Sequence, residues 1–428
     1  MWRGERFEIA EPSTPLGMLQ RGRGAAYLWA RGAQPDEAAR LLLRCLEEDP
    51  RWDRAVEDRT PLYVDVAHRV RLHPAPLLAI LNQDPALHPA ASHWMTATVL
   101  AALARHGDQE AREGLLDVVA TGAGWEPAAF LLVENGMTDG LEVTLARRMR
   151  EDDAAREEFT EGLLDPWRHE PWHSWSRREL VLETIAEARR ARDRDRAARA
   201  PHPGMDLEEL LAHPDRLPAA EALAESAVRD GRLHWVARDP ISPYRGRAFL
   251  ALSMRGDEEL ADEAAAIVSA DDRPLSTDAR RYLRDLPPGP ARAHALEWRT
   301  GDDARLAELA RQMRCDEAAE ADVAEILGWM EPALDGGRML ELCDVLDALE
   351  RFPELGPFPG VDRVFEEAPY SYARIRAVAL MRLSDPDFGE RRADECLWDG
   401  EERIRELGAE AQDDEPGPPP GGAITRLR

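Results

Sequence analysis

Two apolar runs at helical spacing meet at a Gly-Asp joint in WMTATVLAALARHGDQEAREGLLDVV, from Trp94 to Val119, and this pattern specifies a helical hairpin. Met95, Val99, Ala102 and Leu103 share one face of the first run, and Ala111, Leu115, Val118 and Val119 one face of the second. Gly107 suits the left-handed conformation that stops a helix, and the Asp108 side chain suits the cap of the next. The joint recurs at Gly256-Asp257 and Gly301-Asp302, which is self-similarity rather than one hairpin. A unit this small cannot bury its own apolar stripe, so neighbours have to be stacked against it.

Further pairs extend the theme. LGMLQRGRGAAYLWARG and PDEAARLLLRCLEED read as a first hairpin around Gly32, with Ala38, Leu42, Cys45 and Leu46 on one side of its second helix. A helix restarted at Pro61 presents Leu62, Val66 and Val70, and PAPLLAILNQ follows as a short helix. GWEPAAFLLVENG and TDGLEVTLARRM are joined at Gly136, with Asp139 and Glu142 spaced for a capping box and Leu141, Leu145 and Met149 as the stripe. A long helix is expected from Ser176 to about Ala198, ended by PHPG at 201–204, the best candidate boundary between an N-terminal half (1–200) and a C-terminal half (206–407). In the second half, a connection through Tyr282 and Leu283 to Pro290 separates the two Gly-Asp hairpins, and a further pair turns at Gly336-Gly337. Its last helices, through Cys396-Leu397-Trp398, are placed to cap the array. Joints at Gly256, Gly301, Gly336 and Ser384 are about 35 to 48 residues apart, near the roughly 40 to 47 of HEAT or armadillo units. The Pro-, Gly- and acid-rich stretch 408–428 has no face to bury and reads as a disordered tail.

VLAALARHGDQEAREGLLDVV and FLALSMRGDEELADEAAAIV resemble HEAT repeats of the bacterial phycobilin-lyase type, in which an Ala-Leu helix end, Gly-Asp, and then Ala with spaced Leu recur. The resemblance covers Trp94 to Met149 and Ala248 to Met313. It implies an α-solenoid, and it implies function only broadly: that group includes scaffolds, inhibitors and a few enzymes, with no catalytic residues common to them.

Composition removes several chemistries. All 55 basic residues other than His are Arg, so there is no Schiff-base Lys, no phosphate-loop Lys and no Ser-x-x-Lys acyl transferase. A formal net charge of -28 disfavours nucleic acid and anionic membranes, and points to a basic or neutral partner. Cys45, Cys315, Cys343 and Cys396 are scattered without a C-x-x-C pair, as expected of buried thiols in a reducing cytoplasm. The opening MWRGERFEIAEPSTP lacks a secretory pattern and no apolar run is of spanning length, so a soluble cytoplasmic protein without cofactor is expected.

The sharpest local pattern is DPWRHEPWHSWSRREL, where His169, Glu170 and His173 spell the H-E-x-x-H of a zinc peptidase, with Glu183 or Glu187 as a conceivable third ligand. That chemistry needs both imidazoles on one helix, and Pro171 between them with Ser176 as a following N-cap argues for a loop instead. Trp167, Trp172 and Trp175 in the same loop are either rings buried at an inter-repeat seam or, with Arg178, an interaction hot spot. Two basic runs, Arg189 to Arg199 and Arg229 to Arg247 around His234-Trp235, read as solvated faces or partners of the chain's own acids rather than an anion site. His68 and His73, like His88 and His93, are five apart and turn away from one another on a helix.

The sequence therefore reads as an all-α, right-handed superhelix of HEAT-like hairpins: a non-catalytic scaffold or regulatory adaptor that presents a concave surface to a protein partner. The rivals are a zinc hydrolase built on His169, Glu170 and His173, and a HEAT-like DNA glycosylase, which would require an electropositive groove.

Overall fold

A computed structural model describes residues 9–83, 92–157, 205–213, 216–270 and 275–413. Every regular element among them is a helix. The chain divides into two compact units, one of residues 1–185 with 329–428 and one of residues 186–328. The expected boundary at 201–204 lies outside the described residues.

The first unit begins with α1 (Pro15–Arg21), α2 (Ala25–Ala30), α3 (Pro35–Glu48), α4 (Thr60–Val70), α5 (Pro74–Leu81), α6 (His93–Arg105), α7 (Gln109–Thr121), α8 (Trp125–Glu134) and α9 (Leu141–Glu151). The run expected as one helix after Leu16 is two, because Gly22 takes φ 73° and ends α1. The hairpin of α6 and α7 forms as its spacing predicts. Gly107 is left-handed at φ 95°, and the Asp108 carboxylate accepts the Ala111 N–H at 3.0 Å. Ala111, Leu115, Val118 and Val119 are buried, and a fully buried Leu or Val side chain contributes roughly 1.5–3 kcal/mol. Around it, α3 packs on α4 and α5, α4 on α6, α5 on α6 and α7, α6 on α7 and α8, and α7 on α8 and α9. The capping box expected of Asp139 and Glu142 is absent: α9 starts after Gly140, at φ 80°, with no side-chain cap.

The second unit contains α10 (Leu207–Ala212), α11 (Arg216–Glu225), α12 (Asp230–Arg238), α13 (Arg245–Met254), α14 (Ala261–Ala270), α15 (Leu275–Arg284), α16 (Pro288–Trp298) and α17 (Ala304–Asp316). A capping box does open α10, with Asp206 and Glu209 each accepting the other's N–H at 2.9 Å. Tyr282 and Leu283, expected in a connection, lie in α15 and are fully buried. At the third joint the cap falls one residue late, on Asp303, whose carboxylate accepts the N–H groups of Arg305 and Leu306.

The chain continues through α18 (Val323–Asp335), α19 (Met339–Leu349), α20 (Val361–Glu367), α21 (Ser371–Ser384) and α22 (Glu402–Asp413). The last helix takes in residues 408–413 of the stretch read as a tail, with Gly408 and Ala411 buried; 414–428 lie outside the described residues. Within the first unit these late helices close onto the earliest ones. Tyr27 stacks on Trp398 with ring centroids 4.0 Å apart, and the Gly400 N–H donates to the Gly22 carbonyl at 2.8 Å. Gly24 lies against the backbone of this late segment, where a Cβ would stand 1.8 Å from the Glu395 carbonyl oxygen.

Charge is buried in the same closure. Arg59 and Arg374 are fully buried. The Arg59 guanidinium donates to Glu57 at 2.9 Å, to Glu401 at 3.4 Å and to the Pro369 carbonyl at 3.0 Å. Arg374 donates to Asp399 and to the Arg21 carbonyl, and Arg23 pairs with Glu395 at 2.7 Å. Burial pushes the Glu57 and Asp399 carboxyls up against the opposing pull of Arg59 and Arg374 respectively. The four cysteines are free and buried, and burial pushes the Cys45 and Cys343 thiols up to about 12, which leaves them protonated and unreactive near neutrality.

Candidate functional site

The second unit holds a cavity of about 500 Å³ lined by Asp230, Gly231, His234, Trp235, Arg238, Asp257 and Glu259. Its origin is a helical repeat: Asp230, His234 and Arg238 are four apart on α12, so all three project from one side. The opposite wall is the Gly256-Asp257 joint. Gly256, at φ 68°, ends α13 and turns the chain so that Asp257 and Glu259 face the imidazole.

The contacts form a cross-brace. His234 Nε2 lies 3.0 Å from Asp257 Oδ2, and its Nδ1 lies 3.4 Å from Glu259 Oε2. Asp257 Oδ1 accepts the Tyr282 hydroxyl at 3.1 Å and the Glu259 N–H at 3.2 Å, while the same hydroxyl accepts the Leu260 N–H at 3.1 Å. Burial pushes the Tyr282 phenol up, so it serves as a neutral donor. Asp257 therefore ties α12 to α15 across the joint, rather than capping α14 as Asp108 caps α7. Arg238 donates to Glu263 at 2.7 Å and to Glu259 at 3.2 Å. Burial works to raise the Glu263 carboxyl, but Arg238 prevails and holds it below the usual range. Asp230 pairs with Arg255, which also donates to the carbonyls of Leu223, Ala224, Ser226 and Val228. Within the basic run Arg229–Arg247, Arg238 thus meets the chain's own acids, while Arg245 donates to the Ala237 carbonyl.

Two large apolar side chains of this region are exposed, one on the lining and one in the segment after α12. The Trp235 residue is 70% exposed, and Ile241, in the segment after α12, is 88% exposed. No Ser, Thr or Cys is among the lining residues, so the arrangement offers donors, acceptors and an aromatic face without a nucleophile of those types. It is suited to holding a group rather than to acyl transfer.

A smaller cavity of about 300 Å³ in the first unit is lined by residues that include His68, His73, His106, Asp108 and Glu110. His68 and His73 do not share a helix: His68 lies in α4 and His73 is the N-cap of α5, and both line this cavity; His68 meets His106 from the next hairpin, edge to face with centroids 4.1 Å apart. Burial and the neighbouring His106 both lower the His68 imidazole. His73 Nε2 faces Glu110 at 3.5 Å. Among the described residues no group of three or more His, Cys, Asp or Glu is placed to hold a metal ion.

The zinc-peptidase pattern of His169, Glu170 and His173, the carboxylates Glu183 and Glu187, the candidate surface of Trp167, Trp172, Trp175 and Arg178, and the basic run Arg189–Arg199 all lie outside the described residues. Among those that are described, no helix is long and apolar enough to cross a membrane. The α12 site was only partly signalled in the sequence. Asp257 belongs to the recurring joint and His234-Trp235 to a basic run, but nothing in their spacing says that they meet. No family model matches the chain, and neither the curated proteins nor the solved structures contain a match.

Proposed function

We propose that this protein is a non-catalytic interaction scaffold or regulatory adaptor, an α-solenoid of HEAT-like hairpins acting in the cytoplasm on a protein partner. The packing of each early helix on its next or next-but-one neighbour supports the solenoid reading. The observation that carries the functional reading is the exposed Trp235 on the lining of an open cavity, with the exposed Ile241 in the segment that follows the same helix. An indole left in water at the rim of a depression is the composition of a docking hot spot, since Trp is enriched where partners anchor. Buried free cysteines agree with a reducing compartment.

The test is affinity purification of partners from the protein's own cells with the full chain and with the double variant Trp235→Ser, Ile241→Ser. Both side chains are exposed, so the variant's helical content and melting point should match the wild type. Loss of a specific partner from the variant is expected. Recovery of the same proteins by both forms, or of none by either, overturns the proposal.

A further inference from the structure

We infer that the α12 cavity receives a cationic side chain, the guanidinium or ammonium group of a basic segment on the partner. This rests on the docking role proposed above and adds the chemistry of the guest. The charges around the cavity do not balance. Asp230, Asp257, Glu259 and Glu263 face Arg238, Arg255 and His234, so the neighbourhood stays negative even with the imidazole protonated. Arg238 lines the cavity but is shared between two carboxylates, and Arg255 is not among the lining residues. Arg238 is held partly by Glu263, which is not among the lining residues, and Arg255 donates to four backbone carbonyls.

The carboxylates differ in availability. Asp257 is enclosed by His234, Tyr282 and the Glu259 N–H. The side chains of Asp230 and Glu259 are 53% and 59% exposed and can accept further donors from solvent or from a guest. The space at Gly231, on the lining, is open: a Cβ there would meet nothing within 4 Å. Beside it the exposed Trp235 indole presents a π face, whose quadrupole attracts a cation, most strongly once desolvated. An anionic guest would meet that face and those carboxylates unfavourably. The overall charge of -28 steers basic segments toward the molecule and acidic ones away.

The test uses the full chain and three peptides of alternating residues: Arg-Gly, citrulline-Gly, which keeps the shape without the charge, and Glu-Gly. Titration calorimetry at low salt is expected to show binding of the Arg peptide, at least tenfold weaker binding of the citrulline peptide, and none of the Glu peptide. Trp235→Ala should weaken the Arg peptide at least tenfold and Glu259→Gln by about threefold, a loss near 0.6 kcal/mol. Binding that Trp235→Ala leaves unchanged is attraction to the chain's overall charge and overturns the inference, as does equal affinity for the citrulline peptide. If the double variant loses its partner while the Arg peptide shows no charge preference, the docking role stands and the cationic guest falls. If the Arg peptide binds through Trp235 but no partner depends on that surface, the docking role falls instead.

Discussion

The closure of the first unit and the α12 site of the second are built from the same residue types, Arg against Asp and Glu, yet they sit in different solvents. Arg59, Arg374 and Asp399 are sealed from water, whereas Arg238, Glu259 and Glu263 are partly exposed. The comparison teaches that burial, not the presence of an ion pair, decides what the pair does. A sealed pair has large desolvation on both sides, and removing one partner strands the other. An exposed pair is screened, contributes little, and remains available to a third charge.

The largest effect is expected at the sealed end. Arg374→Met leaves Asp399 buried without its guanidinium and should cost about 3–5 kcal/mol in urea unfolding, with Arg374→Met, Asp399→Leu recovering much of it. A single-variant loss below about 1 kcal/mol would mean that the closure behaves like a surface pair. The second unit supplies a sharper contrast in Asp322, which accepts from Arg314 at 2.7 Å, Arg292 at 3.1 Å and the Ala319 N–H at 3.0 Å. Burial works to raise this carboxyl, but those donors prevail and hold it below the usual range. Its contribution is therefore fully present above the unfolded carboxyl range near pH ~4 and is lost as pH falls through the lower folded value. Asp322→Asn should cost roughly 1.5–3 kcal/mol at pH 7, and the gap from wild type should narrow on acidification toward pH ~2; a gap independent of pH would contradict the assignment.

Gly24→Ala tests closure by shape alone. Its Cβ would collide with the Glu395 carbonyl, so a loss of about 1–3 kcal/mol is expected, whereas Gly231→Ala in the second unit, inside a helix and with open space around it, should be neutral or stabilise by up to about 1 kcal/mol. Thermal shifts of the two variants side by side measure the difference. The smallest effect belongs to Arg238→Ala, expected to leave the melting point close to that of the wild type because both of its acid partners are solvated. A loss as large as that of Arg374→Met would erase the distinction between the two regions.

Local chemistry was legible in the sequence, and distant contact was not. Gly107 and Asp108 form the joint that their types require, and Leu62, Val66, Leu115 and Val119 are buried as their spacing demands. Those are properties of one or two turns of helix. Local reading failed where two neighbours offered the same service: Asp302 and Asp303 could each cap α17, and the later one does; Gly140 replaced the box expected of Asp139 and Glu142. The Gly256-Asp257 joint was visible, but its Asp serves a bridge to His234 and Tyr282, partners chosen by packing rather than by spacing. Periodicity likewise has no means of pairing Arg21 with Glu367 or Arg374 with Asp399, since nothing in an apolar stripe records which distant charge will meet it.

The bonds from Arg21 to the Glu367 carbonyl and from Arg23 to Glu395 span 346 and 372 residues of chain. During synthesis at about 5–20 residues per second, the ribosome delivers those acceptors tens of seconds after the arginines. Over that interval the earliest helices have neither their Trp398 lid nor these late acceptors, and their own hairpins have to keep them soluble. Assembly of the first unit is thus timed by its last-made helices, and a nascent chain halted before residue 367 would expose the surface that the finished molecule hides.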